Sequence, residues 1–271
     1  MHSVIVLNAA FMLSPINPFG ENTMIKSDER INEINENIKL IEKVDGLTFG
    51  TDAYLLSAIL PKRQNQRGAE LGCGTGVVSL LISSRKKCRH VYAVEVQKEF
   101  AELTERNAEL NELNNEITVI NKNVKDVSSH DTDGEVDFVF TNPPYMKSTS
   151  GKENDADMKN IARHEVCGDI DDFCACAKRL LKFGGYFYAV YRPDRMIDIL
   201  CSMRNNGLEP KKITFIHPNS TTPPSLMLIC AKRGGKSGLT IDPPLYIYKD
   251  KNSSEYSESF AKIYENCSME F

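Results

Sequence analysis

The sequence predicts an α/β fold: a doubly wound, mostly parallel sheet with helices on both faces and an antiparallel hairpin at its end. Three observations predict it. After Gly68, short apolar runs alternate with amphipathic stretches, which is the rhythm of successive βαβ units. A cluster of glycines falls at the first strand-to-helix junction. The last two apolar runs are joined by the turn-rich segment Pro218–Pro224 instead of a helix, as an antiparallel pair requires. With 271 residues, 41% of them hydrophobic, the chain can bury a substantial core.

The elements follow in order. Residues 1 to 24 carry Pro15, Pro18 and Gly20 without a sustained period. They are expected to be a flexible leader to one domain over 25 to 271, with Met24 as an alternative start. Between Ser27 and Ile41, the spacing of Ile31, Ile34, Ile38 and Ile41 by threes and fours predicts a helix or helix-like lead-in. Asp52 is the predicted N-cap of a helix that stops before Pro61. Strands are predicted at Ala69–Leu71, Val91–Val96, Ile117–Ile120 and Val136–Phe140, with helices from about Val77 and from about Lys98 to Leu113. A polar loop over residues 146 to 169 follows, and loops of that length in compact domains usually carry function. A helix from Ile170 to Leu181 then leads through Gly184 and Gly185 into a strand at Tyr186–Tyr191. Pro193 opens another helix, and strands near Lys212–Ile216 and Leu226–Ala231 complete the pattern.

Composition narrows the function classes. No run approaches the ~18 apolar residues of a membrane helix. The apolar segment Val4–Leu13 has no preceding Lys or Arg, so a secretory signal is not expected. Eight cysteines include no C-x-x-C pair, and Cys174 and Cys176 would point to different faces of their helix. Neither a disulfide framework nor a metal site is expected; free thiols suit a reducing, cytoplasmic setting. The net charge of −4 announces no nucleic-acid binding, but it divides into −6 up to Met146 and +2 from Lys147 onward. Any basic surface is therefore expected in the second half. Lys211, Lys212, Lys232, Arg233 and Lys236, flanking the terminal hairpin, are candidates to meet phosphates or are simply solvated strand ends.

Two motifs carry chemistry. Glu70-Leu-Gly-Cys-Gly-Thr-Gly76 follows a strand and opens a helix, where glycines let the backbone approach a ligand. Its G-x-G-x-G spacing departs from the G-x-G-x-x-G of nicotinamide and flavin sites. Glu95 ends the next strand, where a carboxylate can accept both hydroxyls of a ribose. Asn142-Pro143-Pro144-Tyr145 follows the strand Val136–Phe140 at its C-terminal end, the edge on which open α/β sheets place their ligands. Its prolines stiffen the backbone, so the Asn142 amide oxygen and the Pro143 carbonyl become fixed acceptors and Tyr145 a stacking face. An exocyclic amine on a planar ring needs such acceptors. They favour the pyramidal nitrogen that can attack a methyl sulfonium.

These motifs resemble the class I S-adenosylmethionine-dependent methyltransferases that modify planar amino groups. More narrowly, Phe49-Gly-Thr-Asp52-Ala-Tyr-Leu-Leu, Asn142-Pro-Pro-Tyr-Met-Lys147, Ala162-Arg-His-Glu165, Arg192-Pro-Asp-Arg195 and Pro243-Pro-Leu-Tyr-Ile-Tyr248 resemble the bacterial tRNA(Val) adenine-N6 methyltransferases. The resemblance runs from about Ile25 to Tyr264. It implies a Rossmann-like, seven-stranded class I methyltransferase sheet, S-adenosylmethionine as cofactor and tRNA as partner. The sequence leaves the oligomeric state open, with a monomer expected, and neither metal nor membrane is expected. The resemblance further implies that Gly72, Gly74 and Gly76 lie along the cofactor, that Glu95 binds its ribose, and that Asn142, Pro143 and Tyr145 hold the target adenine. Thr51 would reach the methionine end. Where the family places an aspartate against the cofactor's adenine, this chain has Asn123-Val-Lys-Asp126, with Asn123 the better match and Asp126 the alternative. Arg163, His164 and Glu165 fit a tRNA contact or a loop brace equally well.

Other readings share parts of this pattern. DNA adenine methyltransferases carry an added recognition domain, for which too little chain is expected to remain. Protein-glutamine methyltransferases share Asn-Pro-Pro-Tyr but resemble chains with a longer N-terminal helical domain. A non-catalytic RNA-binding module would bind S-adenosylmethionine without transferring its methyl group.

Overall fold

The computed structural model describes residues 25–44, 49–143 and 168–269. The expected leader, Pro144, Tyr145 and Arg163 to Glu165 lie outside the described residues. A nine-stranded sheet forms the centre of the molecule. Five of its strands, β3 (Arg67–Leu71), β4 (His90–Val94), β5 (Ile117–Ile120), β6 (Val136–Thr141) and β7 (Leu181–Tyr191), are parallel. β9 (Leu226–Arg233) runs antiparallel between β7 and β8 (Leu208–His217). The order β8-β9-β7-β6-β3-β4-β5 makes the expected seven strands. The two-residue strands β10 (Thr240–Ile241) and β11 (Leu245–Tyr246) pair with β8 at its outer edge.

The central strands are largely apolar because both faces are covered, as parallel sheets demand. On one face, helices α1 (Thr51–Ile59) and α2 (Val77–Ser84) pack with α6 (Glu258–Asn266) around Leu55, Leu80, Phe140 and Phe260. On the other face, α4 (Ile170–Leu180) and α5 (Met196–Asn205) pack around Phe173, Phe187, Ile199 and Ile229. Helix α3 (Lys98–Leu110) follows β4. Both Cys174 and Cys176 are buried, and the seven described cysteines are all free thiols. Among the described residues, no helix is long and apolar enough to cross a membrane.

Two expectations are corrected. Residues 29 to 43 form a separate antiparallel hairpin, β1 (Glu29–Asn35) and β2 (Ile38–Lys43), and not a helix. Asn35 makes the turn by accepting the Asn37 N–H at 2.9 Å. The side chains of Asn107 and Asn111 on α3 then act as a substitute strand for β2. Asn107 accepts from Ile41 N–H at 2.7 Å and donates to Ile41 C=O at 3.1 Å, while Asn111 treats Lys39 the same way at 2.9 and 2.7 Å. A bidentate Arg106–Glu29 pair adds to the clamp. The second correction concerns α1, which is capped by Gly50 and places Asp52 in its first turn.

Candidate active site

The C-terminal edge of β3, β4 and β6 gathers the motif residues around a cavity of about 460 Å³. The glycine turn forms its floor. Gly72, Gly74 and Gly76 all have positive φ (72°, 57° and 80°), which ordinary side chains resist. A Cβ on Gly74 would meet nothing within 4 Å, so this glycine opens onto the cavity. Gly76 serves packing instead. A Cβ there would fall 2.6 Å from Thr104 Cγ2 of α3.

Four amides of this turn are already committed. Gly72 and Cys73 donate to Val94 C=O, Gly76 donates to Cys73 C=O, and Gly74 donates to Glu95 Oε2 at 2.9 Å. A turn that cradles a pyrophosphate must instead point its N–H groups at the ligand. The carboxylates of Asp52 and Glu95 also face the cavity and would repel a phosphate. The pocket therefore suits a ligand that is cationic and lacks phosphate, and it disfavours a dinucleotide.

Glu95 is buried at the end of β4 and accepts from Gly74 N–H and Gln97 N–H, one on each oxygen. Each oxygen retains a second acceptor direction for a ligand hydroxyl. Glu70, at the end of β3, is 2% exposed and accepts from both the backbone N–H and the hydroxyl of Ser79. Burial, helped by the Glu95 charge, pushes its carboxyl up to about 8 against the opposing effect of the Ser79 hydrogen bonds. Phe49, Phe100, Val124 and Phe173 supply the apolar walls.

Asn142 enters from β6. Its strand end is anchored by Thr141, whose hydroxyl donates to Leu71 C=O at 2.8 Å. Asn142 Nδ2 donates to Asp52 Oδ2 at 2.7 Å, joining the first turn of α1 to the motif. Asn142 and Asp52 both line the cavity. Pro143 borders a second hollow of about 490 Å³, shared with Asp169, Tyr191 and Arg195, and Phe173 lines both.

The structure thus brings together Gly72, Gly74, Glu95 and Asn142. Thr51 opens α1, but its neighbours Gly50 and Asp52 form the wall. Asn123 is also set back, with Val124 lining the cavity, and its side chain accepts Lys125 N–H at 3.0 Å. Asp126 is exposed. Sequence reasoning missed Glu70 and Asp52 as site residues, although both sit inside the motifs it had singled out. The hairpin cations are largely engaged: Lys212 with Asp242 at 3.1 Å, Arg233 with Glu135 at 2.9 Å, Lys211 with Lys236 C=O at 2.8 Å, and Lys232 over the Tyr186 ring. A larger cavity, about 990 Å³ between Pro61, Lys87, Tyr186 and Met269, contains none of the motif residues.

The strand order and the ligand edge define the class I methyltransferase fold. A predicted O-methyltransferase from Agrobacterium tumefaciens shares it with a TM-score of 0.65 at 23% identity, over 81% of this chain and 98% of that one. TYW2 of M. jannaschii, solved in complex with AdoMet, shares it at 0.52 and 16% identity, over 76% and 86% of the two chains. The methyltransferase small domain family matches residues 44–197, more than half of the chain, and the protein belongs to that family. It is a methyltransferase, and its cofactor is S-adenosylmethionine. Among curated relatives, the tRNA1(Val) (adenine(37)-N6)-methyltransferase of Phocaeicola vulgatus is 26% identical over 81% of this chain and 92% of its own length. The enzyme of the same name from Aliivibrio salmonicida is 29% identical over 80% and 89%.

Proposed function

We propose that the protein transfers the methyl group of S-adenosylmethionine to N6 of an adenine in tRNA, that the target is an anticodon-loop adenine of tRNA(Val), and that it acts in the cytoplasm. The names of the relatives support the substrate. The observation that carries the chemistry is the position of Asn142 and Pro143, one bordering the cofactor cavity and the other the adjoining hollow. An adenine in that hollow presents its amine to the Asn142 amide oxygen and the Pro143 carbonyl. Both accept its N–H bonds and draw the nitrogen lone pair out of the ring.

The lone pair attacks the methyl carbon in line, forming the N–C bond as the C–S bond breaks, and the bonding electrons stay on sulfur. The charge passes from the sulfonium to N6, which then loses a proton to water. No side-chain base is required. Glu95 holds the ribose, and Glu70 faces the cationic end of the cofactor. Tyr145 stacks on the target base, an interaction worth about 1–3 kcal/mol. An adenine in a loop unstacks more cheaply than one in a duplex.

The Asn142→Ala variant tests this reading. Its single-turnover rate is expected to fall by about 10²–10³, the usual cost of losing one preorganised partner of a transition state. Cofactor affinity should hold, because the glycine turn and Glu95 belong to other strands. Transfer at the wild-type rate would show that Asn142 does not polarise the amine.

A further inference from the structure

We propose that Asp52 is a positioning residue that fixes which way the Asn142 amide faces, and so determines whether the site presents an acceptor or a donor to the target amine. This rests on the reading of Asn142 as the amine's partner. An asparagine amide fits its site in two orientations, half a turn apart, that exchange Oδ1 with Nδ2. One orientation suits an amine N–H. The other sets N–H against N–H and repels it.

The structure contains the element that chooses. A carboxylate only accepts, so whichever amide atom faces Asp52 must be the nitrogen. Asp52 Oδ2 receives Asn142 Nδ2 at 2.7 Å, while Oδ1 accepts Ala53 N–H at 3.0 Å. That second bond holds the carboxylate in place in the first turn of α1, where the positive end of the helix favours its charge. Donation to a carboxylate also polarises the amide, making Oδ1 a stronger acceptor. Asp52 and Asn142 are 90 positions apart in the chain, yet both line the same cavity. Asp52 belongs to the segment Phe49-Gly-Thr-Asp52, in which the family resemblance gives a task to Thr51 alone.

The test is a double-mutant cycle read by single-turnover transfer to tRNA at saturating S-adenosylmethionine, with cofactor affinity measured by calorimetry. Asp52→Ala is expected to slow transfer by about tenfold to a hundredfold, the equilibrium factor of one hydrogen bond to a charged group. Asp52→Asn keeps the shape and an acceptor oxygen, and should fall between Asp52→Ala and wild type. Its near-identical volume keeps the test valid if the alanine variant folds poorly. Combining Asp52→Ala with Asn142→Ala should be no slower than Asn142→Ala alone, because Asp52 acts through Asn142. Asp52 also lines the cofactor cavity, so any change in affinity is measured separately and saturation removes it from the rate.

Three results would overturn the proposal: an unchanged rate in Asp52→Ala, effects that multiply in the double variant, or a loss limited to cofactor affinity and cured by saturation. If Asn142→Ala alone transfers at the wild-type rate, the underlying role of Asn142 fails first. That outcome is distinct from an Asp52 failure with Asn142 still required.

Discussion

Cofactor binding is expected to release a proton from Glu70. Its buried carboxyl, pushed up to about 8, is mostly neutral at pH 7, by roughly ten to one. S-adenosylmethionine brings positive charge into the cavity that Glu70 lines, which favours the carboxylate. The bound protein therefore gives up protons at pH 7, at most about one per cofactor. Affinity should rise by up to about tenfold per pH unit below about 8 and level off above it. Calorimetric titrations in two buffers of different ionisation heat measure the release directly. Glu70→Gln, with no proton to lose, should reduce it and flatten the profile. The folded apoprotein also binds more protons at Glu70 than the unfolded chain does between 4.5 and about 8. Its stability should fall as pH rises through that window, and Glu70→Gln should remove this slope. Equal heats in the two buffers at pH 7, with affinity flat from pH 6 to 8, would show that Glu70 does not titrate with cofactor binding.

Three further outcomes are expected. Glu95→Ala should weaken S-adenosylmethionine by about 1.5–3 kcal/mol, the worth of hydrogen bonds to a charged group, and unchanged calorimetric affinity would remove it from the site. Asn107→Leu breaks bonds to Ile41 N–H, Ile41 C=O and Thr75 C=O in one step, so urea unfolding should show a loss of about 3 kcal/mol. A loss under about 1 kcal/mol would mean that the hairpin is not held by α3. Gly76→Ala combines a positive φ with a contact on Thr104 and should cost about 2–4 kcal/mol in the same experiment. Stability equal to wild type would show that α2 and α3 can part to admit a methyl group.

The sheet was legible because buried parallel strands and their covering helices leave different periods in the sequence, as at Val91–Val94 and Lys98–Leu110. The hairpin was not. Ile31, Ile34, Ile38 and Ile41 fall at helical spacing only because a turn at Glu36 divides them between two strands, and Ile31 in fact remains exposed. The Asn35-Glu36-Asn37 turn was the local signal against a helix. Helix α6 was not assigned at all, although Ser257 accepts Phe260 N–H as an ordinary N-cap. Within the site, the glycines, Glu95 and Asn142 were legible because each sits in a motif at a strand end. The Asp52–Asn142 bond was not, since no local rule pairs residues 90 positions apart. The place of Asn123 after the strand Ile117–Ile120 suggests a cofactor contact, whereas its oxygen accepts the Lys125 N–H within the turn that follows.

The most direct test of the account is transfer of labelled methyl from S-adenosylmethionine to tRNA, DNA and protein in parallel, followed by nucleoside analysis of the labelled fraction. Label is expected in tRNA, recovered as N6-methyladenosine and lost in Asn142→Ala. Label in a glutamine side chain or in DNA, or cofactor binding without any transfer, would contradict it.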